Sequence, residues 1–323
     1  MKALLCKQYG PPETLVIEEI TSPLPQPHQV LIEVKACGVN FPDTLIIEGK
    51  YQFKPAFPFS PGGEVAGIVK SVGENVKHLK VGDSVFALTG WGGFAEEVVV
   101  DAARVFPVPE GMDFQTAAAF LYTYSTSYHA LKDRAQLQPG ETLLVLGAAG
   151  GVGLAALNLG KIMGAKVIAA ASSEDKLALC EEYGADGLIN YEKEDLRQKL
   201  KELTGGGVDV VYDPVGGRFA EPALRSMNWR GRYLVVGFAA GEIPALPFNL
   251  ALLKGCSIVG VFWGAFTERE PKVNFQNVRE LIGFYQEGKL KTHIHKTYSL
   301  EEAPQALYDM KERRAIGKLV VVP

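Results

Sequence analysis

The residues best placed to do chemistry are glycines. Gly147, Gly150, Gly151 and Gly153 lie in VLGAAGGVGLAALNLGK (145–161), between an apolar strand, ETLLVL (141–146), and a small-residue helix. A glycine turn in that setting lets backbone N–H groups approach a pyrophosphate at the positive end of a helix. The dinucleotide fingerprint is met as Ala148-x-Gly150-x-x-Gly153, with alanine at the first position, so Gly150, Gly151, Val152 and Gly153 are candidate cofactor contacts. A merely flexible loop would show the same composition. A strand before it, a helix after it and further strand–helix units behind it favour nucleotide binding.

The end of the next strand bears on which nucleotide. An NAD site usually carries Asp or Glu there for the ribose 2′-hydroxyl. Here the strand runs out as Ala170-Ala171-Ser172-Ser173, with Lys176 one helical turn later. Hydroxyls and a lysine suit an anionic 2′-phosphate, so NADPH is expected. Helix capping by Ser172 or Ser173, with Lys176 on a solvated face, is the plainer reading and is compatible with phosphate binding. Gly237, Phe238, Phe262, Trp263 and Gly264 follow later strands and are expected along the same crevice; for Trp263, core or interface packing is an equal alternative.

These residues need a scaffold. From residue 125 strands and helices alternate: KVIAAAS (166–172), GLIN (187–190), VDVVYD (208–213), RYLVVGF (232–238) and SIVGVF (257–262), with helices at 151–163, 174–183, 194–203 and 218–227. Apolar strands with crossover helices predict a doubly wound parallel sheet covered on both faces. Ahead of it, short β-rich runs (14–20, 29–37, 64–73, 84–88, 94–100) are separated by Gly/Pro turns such as Pro61-Gly62-Gly63, which predicts a small β-barrel. One helix opens after Asn40, an N-cap residue type, and residues 113–134 read as continuously helical. At the end, 274–288 is helical, Ser299–Glu302 is a capping box, and GKLVVVP is a strand that returns to the first domain. Lys318, near its start, is either a cleft residue or a surface charge.

Composition narrows the class. The 323 residues suffice for two cores, with 47% hydrophobic and 22% charged residues. A net charge of −4 with interspersed signs argues against nucleic acid. Cys6, Cys37, Cys180 and Cys256 are scattered, giving neither a disulfide framework nor a zinc cluster. No run reaches the ~18 apolar residues of a membrane helix, and the N-terminus does not read as a signal peptide. A soluble, cytoplasmic protein with no membrane partner is expected.

The motifs together resemble the medium-chain dehydrogenase/reductase superfamily, in particular its zeta-crystallin-like NADPH:quinone oxidoreductases. The carriers are CGVNFPDTLIIEGKY (37–51), FPFSPGGEVAGIV (57–69), VGDSVFAL (81–88), TSYHAL (126–131), the glycine turn, GGVDVVYDPVGG (206–217) and GKLVVV (317–322). The resemblance implies an α/β chain with a GroES-like β-barrel catalytic domain (1–124 with 265–323) and a Rossmann domain (125–264). It places Tyr51, Asn40 and Thr126 at the catalytic end; Ser172, Lys176 and Tyr191 around the adenosine phosphate; and Lys318 among the cofactor contacts. For Asn40 a helix cap, for Thr126 a backbone-bonded hydroxyl and for Tyr191 a core or edge tyrosine remain open. Zinc-dependent members carry ligands where this chain has Asn40, Gly63 and a position near Tyr122. A zinc site needs three protein ligands, so no metal is expected.

A quinone or conjugated enone is already electrophilic, and hydride can reach it by positioning and hydrogen bonding alone. The expected function is NADPH-dependent, zinc-independent reduction of quinones or related conjugated carbonyls. The alternatives are an enoyl reductase of 2-alkenals, enones or acyl-CoA thioesters such as acryloyl-CoA, and a silent NADPH-binding structural protein. A homodimer through the edge formed by 257–266 is implied by the resemblance.

Overall fold

The computed structural model describes residues 1–323. The chain forms two compact units, residues 1–122 with 292–323, and residues 123–291.

The first unit is a β structure around one apolar core. Its strands are β1 (Lys2–Leu5), β2 (Val16–Glu19), β3 (Gln29–Val39), β4 (Glu64–Val72), β5 (Ser84–Leu88), β6 (Glu97–Asp101) and β7 (Val105–Pro107), joined by the returning β14 (Ile294–Ser299) and β15 (Lys318–Val322). The seven-stranded sheet runs β14-β15-β3-β4-β5-β7, with β6 also on β3, while β1 and β2 pair separately. Strand β3 is the hub because its residues are buried along most of its length. Its register sets Gly38 opposite Glu64 and Val39 opposite Leu319. That brings Asn40, Glu64 and Lys318, far apart in sequence, to one spot. Helices α1 (Phe41–Ile47), α2 (Phe114–Ala118) and α11 (Ala303–Lys311) also belong to this unit.

The second unit carries the expected parallel sheet, β8 (Thr142–Leu146), β9 (Lys166–Ala171), β10 (Gly187–Asn190), β11 (Val208–Asp213), β12 (Met227–Val235) and β13 (Ser257–Gly260), in the order β10-β9-β8-β11-β12-β13. All neighbours are parallel. Its helices are α3 (Thr126–Tyr128), α4 (Gly151–Ile162), α5 (Glu174–Glu182), α6 (Leu196–Thr204), α7 (Ala220–Arg225), α8 (Asn249–Lys254), α9 (Trp263–Arg269) and α10 (Pro271–Gln286). No helix of the protein is long and apolar enough to cross a membrane.

Three expectations change. The 113–134 stretch is broken: α2 ends at Ala118, and wider π-helical turns at Leu121–Ser125 and His129–Arg134 flank α3. Strand β12 stops at Val235 because the N–H groups of Val236 and Gly237 turn to Asp213 O, and β13 stops at Gly260. The domain boundary expected at 265 falls at 292. Helix α10 stays with the parallel-sheet unit because Glu280 accepts from Tyr128 and Lys132, and Asn277 bonds Lys132 and Asp133.

Candidate functional site

The glycine turn at the end of β8 bends at Gly147, which takes φ +58°, while a Cβ there would lie 2.7 Å from Val215 Cγ2. The left-handed residue therefore sits one position before the first fingerprint place. That explains how Ala148 is accommodated, with its methyl fully buried. Gly153 is required for another reason: a Cβ would approach Gly147 O to 2.3 Å, so α4 could not lie against the turn. Gly150 is the extended N-cap of the twelve-residue α4, whose first-turn N–H groups, from Gly151, Val152 and Gly153, have no acceptor within the helix. Together with the helix dipole they fit a diphosphate. Behind them, Ser127 Oγ donates to Val152 O at 2.9 Å and pairs with the buried Tyr212 hydroxyl at 2.9 Å, a brace the motif does not reveal.

At the end of β9, Ser173 caps α5, its Oγ accepting from Lys176 N at 3.4 Å. Lys176 Nζ reaches back to Ser172 Oγ at 3.1 Å. Of the two acids in the first turn of α5, Glu174 is turned elsewhere: it accepts from Asn190 Nδ2 (2.7 Å) and pairs with Lys193 (3.2 Å). Tyr191 follows β10; its N–H donates to Ala171 O, and its ring stands 4.2 Å from that of Phe219. These residues form one hydroxyl-rich, cationic strand end, which suits a phosphate-bearing nucleotide better than a bare ribose.

Beyond β11, the buried Asp213 organises the next turn. Its Oδ1 accepts from Val215 N and Gly216 N at 2.8 Å each, and Tyr233 Oη donates to its Oδ2. Gly237 N donates to Asp213 O, and the Phe238 ring lies against Gly216. Phe262 is half-exposed, whereas Trp263 is buried at the start of α9 and donates from Nε1 to Asn274 Oδ1 at 3.1 Å. Packing within the unit therefore describes Trp263, and Gly264 is part of α9. Thr126 is half-buried at the start of α3, beside Ser125, whose Oγ is buried without a hydrogen-bond partner.

In the first unit, the register of β3 assembles a buried polar cluster. Asn40 caps α1, and its N–H donates to Asp43 Oδ2 at 2.7 Å. Its Nδ2 donates to Gly38 O (3.2 Å) and Glu64 Oε2 (3.1 Å), and its Oδ1 accepts from Lys318 Nζ (2.7 Å). Lys318 Nζ also donates to Val39 O and Glu64 Oε2, while Glu64 Oε1 accepts from Tyr122 N. One expectation is thereby corrected. Lys318 is not a surface charge, because it is buried and the three donors of its ammonium meet three acceptors inside this unit. Asn40 occupies the N-cap position of α1, but its side chain bonds the cluster rather than the helix, through Gly38 O, Glu64 and Lys318.

Burial, partly offset by the N–H of Asn40, by Lys318 and by the N–H of Gly62, raises the Asp43 carboxyl to about 7. Tyr51 is half-buried, with its ring 5.8 Å from Phe53; burial and then the Asp43 carboxylate push its phenol up. It is therefore a protonated donor at neutral pH. Burial raises the Cys37 thiol well above its ordinary range, which removes it as a nucleophile. The sequence signals for the Asp43, Glu64 and Tyr122 cluster are the acids of CGVNFPD and GGE and a lysine opening an apolar strand, and none of them shows the three together.

Family models match both units: an alcohol dehydrogenase GroES-like domain over residues 26–110 and a zinc-binding dehydrogenase domain over 151–280. The chain is 41% identical to quinone oxidoreductase-like protein 2 of Bos taurus, over 99% of this chain and 92% of that protein. It superposes with a TM-score of 0.94 on Escherichia coli quinone oxidoreductase complexed with NADPH, at 31% identity over all of both chains. The CurK enoyl reductase aligns with a TM-score of 0.90 at 28% identity, over 99% of this chain and 98% of that one. The zinc of the second family model finds no fit. No group of three His, Cys, Asp or Glu side chains is placed to hold a metal ion, and Lys318 already sets a cation on Asn40. A Cβ at Gly63 would stand 3.1 Å from both Tyr122 Oη and Gly90 O, a tight contact that only a small shift of the phenol would relieve.

Proposed function

The chain belongs to the quinone oxidoreductase-like branch of the medium-chain dehydrogenase/reductase superfamily and is an oxidoreductase; on that premise we propose that it uses NADPH to reduce quinones or related conjugated carbonyls. NADPH supplies the hydride when bound. The glycine turn and the first turn of α4 hold its diphosphate, and Ser172, Ser173, Lys176 and Tyr191 receive the adenosine 2′-phosphate. The observation that carries this reading is the Lys176–Ser172 contact, at a strand end where an NAD site would present a carboxylate.

Tyr51 is the substrate-side residue in this reading. Its phenol, held protonated, donates a hydrogen bond to the carbonyl oxygen as charge develops there. Asn40, Glu64 and Lys318 fix the end of β3 and the start of α1 rather than touch the substrate. An already electrophilic carbonyl needs no Lewis acid, consistent with an amide, a glycine and a phenol at positions 40, 63 and 122. Likeness to the CurK enoyl reductase supports a second reading, reduction of the double bond of an enone, 2-alkenal or acyl thioester at the same site.

The edge strand β13 has only β12 as a neighbour, and Trp229, Ile243, Phe248, Leu252 and Leu253 of this unit are exposed. We propose that a second copy covers them, giving a homodimer. Light scattering should return twice the mass of the chain. Four free thiols, three of them buried, support the cytoplasm as the compartment.

The test follows nicotinamide absorbance with NADPH and NADH against simple quinones, a 2-alkenal, an enone and acryloyl-CoA. Faster turnover of a quinone with NADPH is expected. Turnover of the alkene substrates alone would move the function to enoyl reduction, and binding without turnover would leave a silent NADPH-binding protein.

A further inference from the structure

Strands β10 and β11 are separated in the sheet by β9 and β8, and all four run parallel. The segments that follow β10 and β11 nevertheless meet. Tyr191 and Phe219 bring their rings to 4.2 Å, and Arg218 Nη2 lies 2.5 Å from Glu192 Oε2. These segments must close across the carboxyl ends of β9 and β8, the ends that carry Ser172 and the glycine turn. A second cation is thereby brought to the end of β10, the neighbour of β9, at whose end Lys176 bonds Ser172. The Arg218 guanidinium lies over the Phe219 ring, 4.9 Å from its centroid, which limits its orientations.

We propose that Arg218 is a specificity-determining residue for the adenosine 2′-phosphate, held in place by Glu192 and passed from that carboxylate to the phosphate when a 2′-phosphorylated nucleotide binds. The proposal rests on the NADPH reading above. Both members of the pair are exposed, 67% for the arginine and 46% for the glutamate side chain. Such a pair is held weakly and exchanges readily. A phosphate offers the planar guanidinium bidentate geometry and more charge, where Glu192 engages it through a single Nη2–Oε2 contact. Glu192 then acts in the opposite sense. Without the arginine, its bare carboxylate faces the incoming phosphate and repels it.

Calorimetric titration of the full chain with 2′,5′-ADP and with 5′-AMP isolates the phosphate, since the two differ only there. Arg218→Gln is expected to weaken 2′,5′-ADP about tenfold, as for loss of one charge-assisted contact. Binding of 5′-AMP should change by less than about twofold, because the variant removes no contact to the unphosphorylated ribose. Arg218→Lys should recover part of the loss, and Glu192→Gln should tighten 2′,5′-ADP alone. Equal losses for both ligands in Arg218→Gln would overturn the proposal. So would an unchanged preference in Arg218→Gln alongside a preference abolished in Lys176→Ala, an outcome that leaves the NADPH reading standing. A wild type that binds both ligands equally overturns that reading, and the proposal with it.

Discussion

In the first unit Asp43, Glu64 and Lys318 are buried, and the Lys318 ammonium is fully satisfied by Val39, Asn40 and Glu64; in the second, Lys176 is half-buried and Glu192 and Arg218 pair at the surface. The same residue types thus do different work. Buried groups whose donors and acceptors are all committed can hold a backbone in one place but cannot answer to a ligand. Exposed pairs hold little and can be exchanged. The most buried ion pair in the chain, Lys318–Glu64, therefore marks a fixed backbone rather than a place that answers to a ligand.

The largest expected effect tests the buried half. Lys318→Met leaves the fully buried Glu64 carboxylate without its cation and should cost roughly 3–5 kcal/mol in urea unfolding. Pairing it with Glu64→Gln should restore most of that loss, because no charge then remains buried. If Lys318→Met cost no more than a surface substitution, the contrast between the units would collapse.

The next effect is a pH dependence. Asp43 rises from 3.8 to about 7 on folding, so the folded state favours the neutral acid. Its contribution to stability is complete below about pH 4 and is lost as pH rises toward 7. Between pH 5 and pH 8 the wild type should lose roughly 2–3 kcal/mol relative to Asp43→Asn, which has no proton to release there. A gap between the two proteins that does not move with pH would mean that the carboxylate stays ionised in the fold.

Much of the second unit was legible because its signals are local. The turn, the strand before it, the helix after it and the serines at the end of β9 lie close together in the chain, and each reads from its neighbours. The first unit's cluster was not legible, since Lys318 lies 278 positions from Asn40 and 254 from Glu64. Only the register of β15 on β3 makes them neighbours. CGVNFPD and GGE each hold one acid of the cluster, but neither motif shows that the two meet. Periodicity shows that α10 has a buried face but not what covers it, so its place in the second unit is not legible from sequence. The π-helical turns around Thr126 left no mark in a stretch that otherwise reads as helix.

Ser125 offers a smaller effect, in a unit where most polar groups found partners. Its hydroxyl is buried and unsatisfied within a helical run. Ser125→Ala removes a desolvated donor and adds a better helix former, so it should stabilise the protein by about 1 kcal/mol. Unfolding midpoints of the two proteins decide it; a destabilised alanine variant would show that the hydroxyl has a partner in solution.

The smallest expected effect on stability is the sharpest test of the contrast. Arg218 and Glu192 touch at 2.5 Å, a shorter contact than the 3.3 Å between Lys318 and Glu64. Ranked by distance alone, the surface pair would matter more. Ranked by solvation it matters less, because water solvates both partners once the contact is broken, whereas Glu64 has no such recourse. Arg218→Gln should therefore leave urea stability within about 1 kcal/mol of wild type. Its cofactor preference should change all the same. The two measurements together separate what a charge does for the fold from what it does for a ligand: a stability loss as large as that of Lys318→Met would place Arg218 among the structural groups, and a silent variant in both would return it to the solvated surface.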